Sequence, residues 1–351
     1  HEPYRRQRQM CIRDSLKQHL STDDQLARAI YTWVSSNIKY NVYITYTSRS
    51  EEANETKEIQ KILSERKGIC QDYALLFKAL VKEAGMDAYV INGYNRRDGA
   101  LLPDPHEWCA AKVSGKWYMF DPTWGAGFVE NYQFIPSPNH RFCMLLPDTL
   151  LKTHMPFDPM FQFRERPLSY EEFDTGVVDE QRSVPVFYWA DTLALYARQD
   201  TLERLASARQ RMLSNGRSND LVYYMLELTS NNIRIAGYQK ILNAYNMAMD
   251  LQGKATDAIN EFVRYRNKAF EPLKPDVEIQ AMVDIPEGLI NRADSAINSI
   301  RTAPERYREP ILKLRDQIME VATTVYKHKL FLRQYFKLPA KQRKGMFKQT
   351  K

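Results

Sequence analysis

The stretch that most constrains this chain runs from His106 to Trp124. Two strand-like runs, HEWCAAKV and KWYMFDPTW, flank Ser114-Gly115. Two such runs joined by a pair of turn formers read as a β-hairpin. With Ser114-Gly115 as the turn, Val113 faces Lys116 and paired positions sum to 229. His106 then stands opposite Thr123, and Trp108 opposite Asp121. Opposed residues share a face, as do residues two apart on one strand. His106 and Asp121 are therefore expected as diagonal neighbours on one face. A four-residue loop between Lys112 and Trp117 gives the same sum and the same neighbours. An aspartate in that place would fix the imidazole tautomer and stabilise the imidazolium.

A second constraint is GICQDYALLF, Gly68 to Phe77. The spacing predicts a helix over Ile69 to Glu83, with Tyr73, Leu76, Phe77, Leu80 and Val81 on one face. Gly85 is placed to cap its C-terminus. Taken alone, Cys70 reads equally well as a buried core thiol, because free cysteine is among the most buried residue types. At a helix N-terminus, however, the macrodipole and free amides stabilise an anion. A thiolate beside a base that a third group orients is an activated nucleophile. The Cys70 backbone amide could also donate to an oxyanion. The other cysteines, Cys11, Cys109 and Cys143, form no C-x-x-C pair with it or with one another, which sets aside zinc-ribbon and thioredoxin readings. One disulfide is compatible with the sequence, so cysteine usage leaves the compartment open.

Three blocks together resemble the transglutaminase-like superfamily, a branch of the papain-like cysteine enzymes. They are RAIYTWVSSNIKYN, GICQDYALLFKALVKEAGMDAYVINGY and HEWCAAKVSGKWYMFDPTWG, within residues 22–124. The resemblance implies Cys70 as nucleophile, His106 as general base and acid, and Asp121 as the orienting carboxylate. It implies a second oxyanion donor upstream of the nucleophile, for which Tyr40, Tyr43 and Gln71 are candidates and Tyr40 is chosen. It also implies thiolate attack on an amide carbonyl, with hydrolysis (protease or amidase) favoured over cross-linking because water needs no second binding site. The alternative is a catalytically weak or inactive scaffold whose helical region binds a protein or cell-surface partner. A bacterial member is expected. Periplasmic or extracellular placement, with or without a lipid anchor, follows from family analogy alone. The first residue is His1, so any signal peptide or lipid-anchor motif upstream of it lies outside the sequence.

The expected fold class is α+β. A papain-like or transglutaminase-like core, its nucleophile helix packed on an antiparallel sheet, occupies residues 1–135. An irregular connector with short strands follows at 136–185. A mainly helical region of long helices, bundle or coiled coil, fills 186–351, with apolar-periodic runs at 187–213, 219–270 and 305–337. Residues 1–20 read as weakly helical. Thr22-Asp-Asp-Gln25 reads as a capping box, NIKYNVYITY as extended, 48–60 as a loop running into a short helix over 57–65, and LLPDP (101–105) as a loop. Trp108 and Trp124 are expected to wall the cleft and to touch substrate. Glu107 points away from His106 and is expected to be solvated, while Cys109 packs in the core. His140 and His154 lack ligand spacing, so no metal and no cofactor is expected. The net charge of +7 thickens at the C-terminal end without a nucleic-acid-binding signature, so no specific nucleic-acid partner is expected. The expected partners are a protein, peptide or cell-wall amide substrate and a protein bound by the C-terminal helices. No apolar run is long enough to span a membrane.

Overall fold

The computed structural model describes residues 20–44 and 55–347. The expectations for residues 1–19, and parts of those for the extended run and the loop at 45–54, lie outside the described residues, as does Cys11. Helix α1 (Asp23–Asn37) starts where the capping box places it. Thr22 Oγ1 accepts from the Gln25 amide at 3.3 Å. The Gln25 side chain reaches back one residue further than expected, to the Ser21 amide at 3.1 Å. β1 (Lys39–Tyr40) is only two residues long. Helix α2 (Glu55–Glu65) follows, then β2 (Lys67–Gly68), which pairs in parallel with β1. Helix α3 (Cys70–Glu83) ends as predicted. Gly85 has φ +96°, and its N–H donates to Lys82 O while that of Met86 donates to Val81 O, which is the Schellman pattern.

Strands β3 (Ala88–Arg97), β4 (Ala100–Val113) and β5 (Lys116–Phe120) form the antiparallel sheet. The β4–β5 ladder runs from Val113↔Lys116 to Cys109↔Phe120, the register read from the sequence. Ser114 and Gly115 both have positive φ, +48° and +84°, as a type I′ turn requires. The LLPDP segment departs from expectation, since it lies within β4 rather than in a loop. A register shift between Tyr94 and Arg96 absorbs it, with Tyr94 pairing Pro105 and Arg96 pairing Leu101. Such an irregularity takes up prolines that cannot donate to a regular ladder.

A small hairpin, β6 (Gly127–Glu130) and β7 (Gln133–Pro136), comes next. After the short helix α4 (Pro147–Leu150), strand β8 (His154–Pro156) pairs with β3 and completes the sheet order β5-β4-β3-β8. This close approach needs Gly93, where an added Cβ would lie 2.1 Å from Met155 O and 2.4 Å from the Trp108 ring. Helices α5 (Tyr170–Thr175), α6 (Trp189–Tyr196) and α7 (Thr201–Ser214) follow. The core between α1, α3 and the sheet contains Ile30, Val34, Leu76, Phe77, Val81, Cys109 and Phe120. On the opposite sheet face Ile91, Trp108, Ala110 and Met119 pack with Met160 and Phe161.

The chain divides into two compact units, residues 1–233 and 234–351. The segment expected to be a separate connector, and the helices up to residue 233, therefore group with the sheet. The physical ties are visible. β8 is a strand of that sheet, and Arg211 of α7 grips Asp158 through two hydrogen bonds of 2.8 and 2.6 Å. Helix α8 (Asp220–Asn267) begins in the first unit and continues in the second. There α9 (Asp276–Asn298) and α10 (Glu305–Lys337) join it; the short α11 (Ala340–Arg343) follows. The buried positions of α9, Ile279, Val283, Pro286, Ile290, Ala293 and Ile297, alternate steps of four and three, the spacing of a coiled-coil seam. The long-helix expectation holds for α8 and α10, whereas the run at 187–213 is two shorter helices, α6 and α7, and α9 is added. Pro286 and Gly288 masked its periodicity in the sequence, although Pro286 is itself on the packed face. No described helix is long and apolar enough to cross a membrane.

Candidate active site

Cys70 is the first residue of α3, so its N–H has no partner within the helix. The preceding turn is held from inside, because Asp72 Oδ2 accepts from the Ile69 amide at 2.7 Å. Gly68 makes room for that carboxylate: an added Cβ would lie 2.4 Å from Asp72 Cβ and 2.6 Å from Oδ2. Two further bonds lock α3 to β4. Gln71 Nε2 donates to Glu107 Oε1 at 3.1 Å, and Cys109 Sγ donates to Ala74 O at 3.2 Å. Glu107 is thus half-buried and hydrogen-bonded, not the solvated side chain expected. Its face was read correctly; that α3 covers this face was not.

His106 Nε2 meets Asp121 Oδ2 at 2.8 Å. Asp121 follows the end of β5, so the sequence register carries just past the last paired residues, Cys109 and Phe120, to place it. With Nε2 engaged, Nδ1 is the ring nitrogen left to exchange a proton with a thiol, and Cys70 is among the groups that favour the charged ring. Burial opposes charge on His106, but the Asp121 charge, the bond to Asp121 and the bond to Cys70 outweigh it and push the ring up to about 10. Asp121 is fully buried. Burial would raise its carboxyl, yet the His106 charge and the hydrogen bonds from His106 and His154 hold it well below the usual carboxylate range. Its Oδ1 accepts from the amides of Thr123 and Trp124 at 2.9 and 3.0 Å.

The sequence reading missed His154. Its Nε2 lies 3.1 Å from the same Asp121 Oδ2, and its Nδ1 lies 2.8 Å from Thr153 Oγ1. The ring is fully buried among Trp124, Trp108 and Phe142, at centroid distances of 4.7, 5.1 and 6.0 Å. Burial comes first among the causes that lower its pKa, ahead of the charge of His106. No local signal marks His154, because HMP is a three-residue strand placed only by its pairing with the second edge of β3. Among the described residues, His106, Asp121 and His154 form the one cluster whose potential ligand atoms lie within 4.8 Å of one another. Both nitrogens sit at hydrogen-bonding distance from a single carboxylate oxygen. The two distances, 2.8 and 3.1 Å, are hydrogen-bond lengths from each ring to Asp121.

Trp108 is buried and stacks near His106 at 6.2 Å, forming a wall of the site. Trp124 is half-buried, 5.8 Å from the His106 ring, with the Arg97 guanidinium 4.8 Å above it. Tyr40 is half-buried and follows Lys39 beside β2, so it sits next to the turn into Cys70. Burial, followed by the charges of Cys70, Asp104, Asp121 and Asp72, pushes its phenol up to about 12, which keeps the O–H intact at neutral pH. Tyr43 is 81 % exposed, and Gln71 spends its amide on Glu107. Cys70, Cys109 and Cys143 are free thiols, all buried.

Residues 12–122 match the family model described as the transglutaminase-like superfamily. The N-terminal part of this chain is a transglutaminase-like domain. The match ends one residue after Asp121, so the matched span holds Cys70, His106 and Asp121 but not His154. Over a longer span the chain is similar to Kyphoscoliosis peptidase of Homo sapiens, 22% identical over 272 residues, covering 72% of this chain and 39% of that protein. The Mus musculus protein of the same name is 22% identical over 257 residues, covering 68% and 38%. The chain thus spans about two fifths of the length of these curated relatives. Among solved structures, one described as a candidate cysteine protease from Cytophaga hutchinsonii is 24% identical, covers 34% of this chain and 37% of its own, and has a TM-score of 0.27. Another, described as a TGase, is 17% identical, covers 37% and 33%, and has a TM-score of 0.25.

Proposed function

We propose that this chain is a thiol enzyme that cleaves amide bonds of proteins or peptides through an acyl-enzyme on Cys70. The observation that carries this reading is the 2.8 Å contact of His106 Nε2 with Asp121, in a ring whose charged form Cys70, at a helix N-terminus, helps to favour. In this reading the His106 imidazolium is the counter-ion of the Cys70 thiolate. Sγ attacks the carbonyl carbon, and the oxyanion takes donors from the Cys70 amide and the Tyr40 hydroxyl. His106 Nδ1 gives its proton to the leaving amine, the C–N bond breaks and an acyl-thioester remains. His106 then takes a proton from water, which attacks the thioester and releases the acid and Cys70. Trp124 is the aromatic surface assigned to substrate. Hydrolysis is favoured over transfer because water, unlike an amine acceptor, needs no binding site of its own. The similarity to proteins named as peptidases points the same way.

A second reading has its own observation. Cys70 is 4% and His106 8% exposed, which suits a scaffold whose site no longer takes substrate and whose helices bind a partner protein. Iodoacetamide labelling of Cys70 against pH separates the two. The enzyme reading expects labelling that depends on His106 and is lost in His106→Ala. Labelling unaffected by His106→Ala supports the scaffold and overturns the enzyme.

A further inference from the structure

Asp121 Oδ2 serves two imidazoles, whereas the catalytic scheme uses one. The hydrogen-bond geometry around His154 decides what the second ring contributes. Thr153 has a single hydroxyl proton and two acceptors in reach, His154 Nδ1 at 2.8 Å and Leu150 O at 3.2 Å. If that proton goes to Nδ1, the neutral ring carries its own proton on Nε2, aimed at Asp121 Oδ2. If it goes to Leu150 O, Nδ1–H donates to Thr153 and Nε2 must be protonated as well, because a bare nitrogen lone pair at 3.1 Å from a carboxylate oxygen is repulsive. The second arrangement places two imidazolium rings on one buried carboxylate. The rings have centroids only 5.7 Å apart. The titratable groups set against His154 are Asp121 and, beyond it, His106; its other ring neighbours are Trp108, Trp124 and Phe142, with Asn95 paired to it on β3. One carboxylate does not balance two cations in such a surround.

We propose that His154 is a positioning residue, held by Thr153 as the neutral Nε2–H tautomer, which donates to Asp121 Oδ2 and so moderates the grip of Asp121 on His106. Asp121 does not need His154 to stay in place, since the amides of Thr123 and Trp124 hold its other oxygen. What His154 changes is the charge that Oδ2 presents. A carboxylate oxygen that already accepts one hydrogen bond is a weaker partner for an imidazolium. A looser grip keeps the His106 proton transferable to a leaving amine, which over-tight pairing would hinder. This rests on the triad reading, but its readout is a ring tautomer and a titration rather than turnover.

The test is nitrogen-15 histidine NMR on the full chain. In the wild type, His154 is expected as a neutral ring protonated on Nε2 across neutral pH. A doubly protonated ring, or the Nδ1–H tautomer, overturns the proposal without any variant. In His154→Leu the His106 titration midpoint is expected to rise by about one pH unit, the scale set by one charge-assisted hydrogen bond. The proton between His106 and Asp121 moves further downfield. His154→Gln, whose amide can donate from the same direction, brings both back towards the wild type. Thr153→Val, which leaves the ring but frees Nδ1, gives a smaller shift of the same sign and covers the case in which His154→Leu does not fold. A lowered thermal midpoint with no upward move of the His106 titration means a packing role only and sinks the idea. An inert Cys70 sinks the triad reading instead and leaves the tautomer to be read.

Discussion

Replacing Asp121 with Asn removes one charge and almost no volume, so it isolates what the carboxylate does to His106. In the native chain, burial lowers the His106 pKa, yet the ring stands near 10 instead of 6.5 because the Asp121 charge and the bonds to Asp121 and Cys70 overcome that penalty. Without the charge, burial prevails. The midpoint is expected to fall by at least ~3 pH units, each unit being ~1.36 kcal/mol of differential interaction. At pH 8 the imidazolium fraction then drops from about 99% to about 10% or less, by the same titration relation. The Asn side chain also offers its N–H to Nε2, which pushes the remaining ring proton to Nδ1 and leaves no acceptor for the Cys70 thiol. Loss of acid–base function on this scale costs about 10²–10⁴ in turnover. Stability falls less, by roughly 1–3 kcal/mol, for the charge-assisted bonds lost. Histidine NMR gives the midpoint, iodoacetamide labelling of Cys70 against pH gives thiolate formation, and urea unfolding gives the stability change. An Asp121→Asn chain that folds, keeps its His106 midpoint within half a unit and labels as the wild type does would refute the electrostatic account of the site.

Stability should follow pH in a defined way. His106 is raised in the folded state, so its contribution is complete below the unfolded value near 6.5 and is lost as pH rises through about 10. Asp121 is lowered, so its contribution is present above the unfolded carboxylate value and is lost as pH falls through its depressed folded one; urea titrations across pH should show both limbs, and His106→Gln should flatten the alkaline one. Gly68→Ala drives a Cβ to 2.4 Å from Asp72 Cβ, displacing the carboxylate that caps the Ile69 amide, with an expected loss of about 1–2 kcal/mol in unfolding free energy and slower labelling of Cys70. Tyr40→Phe keeps the ring beside Phe134 and removes one oxyanion donor; the expectation is a 10²–10³-fold fall in kcat, roughly the cost of one such donor, with labelling of Cys70 unchanged.

The His106–Asp121 contact was legible because it depends on local geometry. A two-residue turn fixes register, and register fixes which side chains share a face. The extent of α3 was nearly as legible, since apolar periodicity marks its body and Gly85 marks its C-terminal end, while the Gly68–Asp72 fit that sets its first residue is seen only in the structure. His154 was not legible. It sits on a three-residue strand whose place is set by pairing with β3, some sixty residues earlier, and no periodicity can show in three residues. The same distance effect hid the role of Glu107. Alternation gave its face, but the helix covering that face is positioned by tertiary packing. LLPDP read as a loop because two prolines disfavour a strand; the register shift that accommodates them is a property of the pair β3–β4, not of the segment. Helix α9 was obscured by Pro286, which a helix tolerates at a cost when its neighbours bury it.

The central claim is that Cys70 forms an acyl-enzyme, and the most direct measurement is intact and peptide-level mass spectrometry of the chain after brief exposure to a panel of activated peptide, glutamine and cell-wall amides. The account predicts an acyl adduct on the peptide carrying Cys70, absent in Cys70→Ala, strongly reduced in His106→Ala, and lost with time as water completes the reaction. No adduct on Cys70 from any member of the panel, in a chain whose thiol still labels with iodoacetamide, would contradict it.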